Sequence, residues 1–210
     1  MGYTHYWYRE KEIPHSVFTK IVADFRKMVT IMEHAGLRLA GPDGNGRPEI
    51  SEKLVAFNGC RKCGNAKTSV TIPWPDENAK GISFDGDARV GEWVAGDILS
   101  SRTCDGEDCS YEGFYFPRVI TKRKPEDRVL YYDENWNPVY NDPEVVGKYF
   151  DFCKTAYRPY DFAVNVFLII AKHYLGDRII VRSDGTIKQW EDAIDMVQHF
   201  LGYGDDFELD

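Results

Sequence analysis

Whatever fold this chain adopts has to accommodate four cysteines set as two separated pairs, Cys60-Arg61-Lys62-Cys63 and Cys104-Asp105-Gly106-Glu107-Asp108-Cys109. Two residues between thiols allow both sulfurs to face one ion, and Gly64 directly after the first pair permits the tight turn of a zinc knuckle. The second pair is looser, with four intervening residues. Cys60, Cys63, Cys104 and Cys109 together are expected to hold one structural zinc, because four thiolates fill a tetrahedron and leave no position for a reactive water. Iron suits the same donors. A set of reduced thiols is the plain alternative, and a redox pair at Cys60 and Cys63 is a third. That redox spacing belongs at the start of a helix beside a strand, which Gly64-Asn65 does not resemble. The fifth cysteine, Cys153, makes the total odd. With no secretion signal evident, metal ligation plus one buried thiol is favoured over a disulfide framework.

Such a clasp would fix a region and not rescue a fold. The 210 residues are 43% hydrophobic, with 13 Tyr and 12 Phe, enough apolar surface for one core without cross-links. A formal charge of −8 argues against a nonspecific grip on nucleic acid, which depends on clustered Lys and Arg. Arg61, Lys62 and Lys67 near the knuckle are read as solvated, and Trp74 and Trp93 as the small core of the cysteine region rather than a base-stacking pair. The opening residues lack the charged and apolar stretches of a signal peptide, and the run Phe162–Ala171 is too short to span a bilayer and is broken by Asn165. The expected location is the cytoplasm.

Periodicity divides the chain into recognisable pieces. Thr4–Arg9 reads as a strand, and Val17, Phe18, Ile21, Val22, Phe25, Met28, Val29 and Met32 recur at helical spacing, with Ser16 as the expected N-cap and Gly36 as the stop. His34 suits the dipole at that helix end. After a Gly- and Pro-rich loop at 41–48, Leu54–Phe57 is a strand. The texture from Cys60 to Cys109, with short β-like pieces such as Ser69–Ile72, reads as a zinc-ribbon-like insertion into a core formed by residues 1–59 and 110–210. Glu112–Ile120 alternates as a returning strand of the main sheet, and 121–147 reads as a long polar connection. Next come a strand at Tyr149–Lys154, a helix at Tyr160–Leu175, a strand at Arg178–Arg182 and a last helix at Lys188–Leu201, with Thr186 and Gln189 spaced as a capping box. The expected class is α+β: a mixed β-sheet packed with about three helices, ending in a β-α-β-α unit.

Parallel strands joined by a helix emerge at one edge of a sheet, where open α/β arrangements bind ligands. The turns Lys154–Asp161 and Ser183–Thr186 should therefore lie together, each leading into a helix N-terminus that favours an anion. Lys154, Thr155, Arg158, Tyr160, Ser183 and Asp184 are the candidate ligand-binding residues. The competing account makes Asp161 and Thr186 ordinary N-caps. His5 and Asp161 are the candidates for proton transfer, although a single strand histidine is more often structural. No Ser-His-Asp order, P-loop, G-x-G-x-x-G or H-E-x-x-H motif is present.

Four blocks spread over the chain carry a resemblance: Met1-Gly2-Tyr3-Thr4-His5-Tyr6-Trp7, Phe57-Asn58-Gly59, Phe152-Cys153-Lys154-Thr155-Ala156-Tyr157-Arg158-Pro159-Tyr160-Asp161, and Ser183-Asp184-Gly185 before Trp190. In this order they resemble an uncharacterised family of phage, prophage and bacterial proteins. The resemblance implies a viral or mobile-element origin, with action in the host cytoplasm, and no particular chemistry. The expected function is a phage-type accessory protein that binds a host or defence protein, or a small anionic, nucleotide-like ligand. An enzyme acting on a nucleotide-like substrate, and a nucleic-acid-binding protein using the zinc region, are the alternatives.

Overall fold

The computed structural model describes residues 3–64, 69–70 and 102–210. Lys67, Trp74, Trp93 and the Thr71–Ile72 part of the expected short strand lie outside the described residues. In chain order the elements are β1 (Thr4–Arg9), α1 (His15–His34), β2 (Leu39–Ala40), β3 (Glu49–Ile50), β4 (Leu54–Gly59), β5 (Ser69–Val70), β6 (Arg102–Thr103), β7 (Phe114–Pro117), β8 (Val129–Tyr132), β9 (Pro138–Tyr140), β10 (Tyr149–Lys154), α2 (Asp161–Leu175), β11 (Ile179–Ser183) and α3 (Glu191–Leu201). The class is α+β, with three α-helices among the described residues.

α1 buries Phe18, Ile21, Val22, Phe25, Met28, Val29 and Met32, the stripe its spacing requires. It starts two residues earlier than an N-cap at Ser16 would allow. Pro14, with φ fixed at −52°, is the N-cap, and its carbonyl accepts from Val17 and Phe18, both at 3.0 Å. At the other end, Gly36 (φ +88°) donates to Glu33 and Leu37 donates to Met32. This double closure satisfies two terminal carbonyls and needs the left-handed backbone that glycine adopts at little cost.

The sheets depart from the expectation of one mixed sheet. Every described strand ladder is antiparallel. One three-stranded sheet has the order β10-β1-β11, and a second joins β2, β3 and β7 to β4. The returning strand β7 pairs with β4 in this second sheet, Phe57 opposite Phe114. β10 and β11 do run in the same direction, as the β-α-β pattern requires, but β1 lies between them and is antiparallel to both. The 121–147 stretch is also more than a connection: it holds the β8–β9 hairpin and a 3-10 turn at Pro143–Val145. The final helix begins at Glu191, after a separate 3-10 turn at Ile187–Gln189 whose Thr186 and Gln189 form the expected capping box.

α2 sits at the centre. Residues Asp161 to Ala171 are all buried, so this helix is covered on every side up to its last turn, as an almost uninterrupted apolar run demands. Phe167 joins the layers by packing its ring 5.0 Å from Phe25, 5.1 Å from Phe114 and 4.8 Å from Phe116. Trp7 on β1 reaches Phe114 at 5.1 Å, which links the two sheets through the same aromatic cluster. No described helix is long and apolar enough to cross a membrane.

Candidate metal centre and the sheet edge beside it

The cysteine pairs occupy two turns that hydrogen-bond to each other. Cys109 N–H donates to the Cys60 carbonyl at 2.9 Å, and Cys63 N–H donates to the Glu107 carbonyl at 2.9 Å. Gly64 (φ +81°) and Gly106 (φ +62°) supply the reversals. Gly59 allows the closest approach: a Cβ there would stand 1.9 Å from the Cys109 carbonyl oxygen, so no larger residue fits without moving one of the turns.

This scaffold brings three sulfurs within 4.8 Å of one another, those of Cys63, Cys104 and Cys109. Cys63 lies 3.4 Å from Cys104 and 2.9 Å from Cys109. Tetrahedral zinc with bonds of about 2.3 Å holds its sulfurs about 3.8 Å apart, so an ion would enter by spreading the cluster slightly. Cys60, expected as the fourth ligand, is not in the three-sulfur group. Its Sγ points to the Arg38 carbonyl at 3.5 Å, although its backbone is bonded to Cys109. Burial pushes the Cys60, Cys104 and Cys109 thiols up from their ordinary values. A metal would have to displace those protons. Cys153 is the buried fifth thiol, directed at the Glu112 carbonyl at 3.5 Å.

The expected ligand edge adjoins this centre. Because β1 runs against both neighbours, its first residues meet the ends of β10 and β11. His5 is fully buried there. Its Nε2 lies 2.7 Å from Asp161 Oδ1 and its Nδ1 lies 3.1 Å from Ser183 Oγ. Thr155 donates to the same Asp161 oxygen, and Arg102 Nε stands 3.5 Å from the other. Arg102 is also paired with Asp192 and lies over the Phe162 ring. Burial alone would raise the Asp161 pKa. The His5 charge and hydrogen bond, Arg102 and Thr155 more than offset that and hold it below the ordinary carboxylate value.

Asp161 is not a cap. It is the first residue of α2, Tyr160 holds the N-cap position, and no side chain caps that end. The turn leading to it is held in an unusual form, with Ala156 (φ +51°) and Tyr157 (φ +57°) both left-handed. Each costs on the order of 1 kcal/mol, offset by surrounding contacts. The Tyr157 ring stacks on Tyr3 at 3.8 Å, its hydroxyl is bonded by Gln189, and its carbonyl accepts from Thr103 at 2.8 Å.

Most of the other candidate residues are also engaged internally. Arg158 pairs with Asp105 at 2.9 Å and so joins the turn to the Cys104–Cys109 loop. Tyr160 is buried, donating to the Glu112 carbonyl at 2.6 Å. Asp184 accepts from Tyr6, and Ser183 Oγ accepts from Gly185 N–H at 3.1 Å. The half-buried Lys154 side chain makes no hydrogen bond or ion pair with the described residues.

Arg102 and Asp192 did not stand out in the sequence. Arg102 lies two residues before Cys104, and its partner Asp192 is 90 positions further on, with nothing in local pattern to join them. Comparison with protein-family models, curated proteins and solved structures returns no match to this chain.

Proposed function

We propose that the chain is a phage-type accessory protein that works by recognition, built on a scaffold braced by zinc at Cys63, Cys104 and Cys109, with Cys60 turning in as the fourth thiolate. The observation that carries this reading is the convergence of three sulfurs within 4.8 Å on two mutually hydrogen-bonded turns. Cys60 would join by turning its side chain away from the Arg38 carbonyl, and its backbone carbonyl already accepts from Cys109 N–H. The zinc-ribbon-like character of residues 60–109 belongs to the same proposal. The partner is a host or defence protein, or a small nucleotide-like anion, in the cytoplasm of the host.

Recognition is favoured over catalysis by the state of His5. Both ring nitrogens have partners and the side chain is sealed from solvent, so no substrate proton can reach it without opening the edge. An enzyme acting on a nucleotide-like substrate would use the His5–Asp161 pair, and the 2.7 Å contact is its support. Under that second reading, His5→Ala would abolish turnover in a nucleotide hydrolysis or transfer assay while the protein stayed folded.

Elemental analysis of protein purified without chelators tests the brace. Stoichiometric zinc is expected, and Cys104→Ser or Cys109→Ser should lose it. Zinc below about half an equivalent in folded wild-type protein would count against the site. The coloured charge-transfer bands of iron thiolates would change the metal but keep the ligands.

A further inference from the structure

The outer face of the β10-β1-β11 sheet carries side chains that the metal centre and the buried edge do not use. Alternation along the strands sends His5, Trp7, Asp151, Cys153 and Val181 inward and Tyr6, Tyr8, Phe150, Phe152 and Arg182 outward. Tyr8 and Phe150 stand opposite each other in register, with ring centroids 5.1 Å apart. The 121–148 excursion folds back across this end of the sheet. Its Arg123 holds it at the free edge of β10, bonding the Phe150 carbonyl at 2.7 Å and the inward-facing Asp151 at 2.7 Å, and its Asp142 pairs with the outward-facing Arg182. Between excursion and sheet lies a cleft of about 330 Å³, the lower end of the range for small-molecule sites.

We infer that this cleft binds a planar aromatic ring carrying one anionic group, of the class of a nucleoside monophosphate. Tyr8 and Phe150 form an aromatic floor on which a base can stack. The Arg182 guanidinium is held 5.6 Å over the Tyr8 ring by Asp142 and, at 3.5 Å, by Glu144. It forms a fixed wall rather than a free cation. Arg128 and Asn141 supply what the floor lacks. Both line the cleft, and neither side chain makes a hydrogen bond or ion pair with the described residues. A guanidinium fork matches a phosphate, and an amide offers both a donor and an acceptor to the polar edge of a base. Glu126 also lines the cleft, so its net charge is close to zero. That balance favours a single phosphate over a triphosphate or a polynucleotide.

The inference deepens the recognition reading and rests on it. Calorimetry and thermal shift with the four common ribonucleoside monophosphates, ATP, adenosine and inorganic phosphate test it, with zinc measured on the same samples. At least one monophosphate should bind in the micromolar to sub-millimolar range, with ATP no tighter than AMP and with adenosine or phosphate alone weaker by about tenfold or more. Arg128→Ala should lower that affinity by about tenfold or more without moving the melting temperature of the free protein, because Arg128 is exposed and unpaired. Phe150→Leu, which keeps an apolar residue on the strand, should weaken binding through lost stacking. No binding of any monophosphate at millimolar concentration overturns the inference, as does binding that both variants leave intact. Full zinc content alongside either result would discard the cleft and leave the brace standing.

Discussion

Asp161 gathers three polar partners at one buried carboxylate. It accepts from His5 and Thr155 and faces Arg102, all inside the protein. Its folded pKa is depressed, so its contribution to stability is fully present above the unfolded value of about 3.9 and is lost as pH falls through the folded value. Asp161→Asn should therefore flatten the acid limb of a stability–pH curve below about pH 4. It should also cost about 3 kcal/mol or more near neutrality, because Arg102 and His5 would lose a buried partner. Urea denaturation at several pH values reads both effects. An unchanged acid limb would remove Asp161 from the centre of the network.

At the scale of elements, the two cysteine turns act as a clip beside the start of β1. Arg158–Asp105 and Thr103–Tyr157 attach the clip to the left-handed turn before α2, and Gly59 lets β4 run directly against Cys109. The buried thiols are neutral without an ion, so acidification and chelation should act together, each favouring release. Hydrogen exchange after treatment with a strong chelator should show lost protection at 60–64 and 103–110. The amides of α1 and of the middle of α2 should stay protected. Uniform loss across the chain would make the metal a folding cofactor for the whole domain.

How much of this was readable from the sequence varied with the length of the signal. The long amphipathic α1, the apolar α2 and the Thr186–Gln189 capping box were readable because each follows from local spacing. The cysteine spacings identified three sulfurs that meet, but the rotamer of Cys60 depends on the Arg38 carbonyl, which no spacing rule reaches. The division into two sheets was hidden because β2 and β3 are two residues each, too short for alternation to register. The turns after β10 and β11 lie on either side of β1 and not next to each other, and the place of His5 between them is not legible, since strand pairing is set by tertiary contacts and not by composition.

On the scale of the whole molecule, β1 is the strand that every other part of its sheet requires. It is the first of the described elements, while its two partners, β10 and β11, lie about 140 and 170 residues further on. Neither partner pairs with the other, so the sheet has no stable subset that excludes the N-terminal strand. Loop closure over such separations slows folding, and refolding from urea should be slow for the chain's size, on a scale of about milliseconds to seconds. Fragments ending before β10 should lack protection in β1 even when α1 is helical. On a ribosome, β1 would have to wait, unpaired and rich in aromatic side chains, until β10 at Tyr149–Lys154 and β11 at Ile179–Ser183 had been made, which leaves a nascent chain that a chaperone or a protease can intercept.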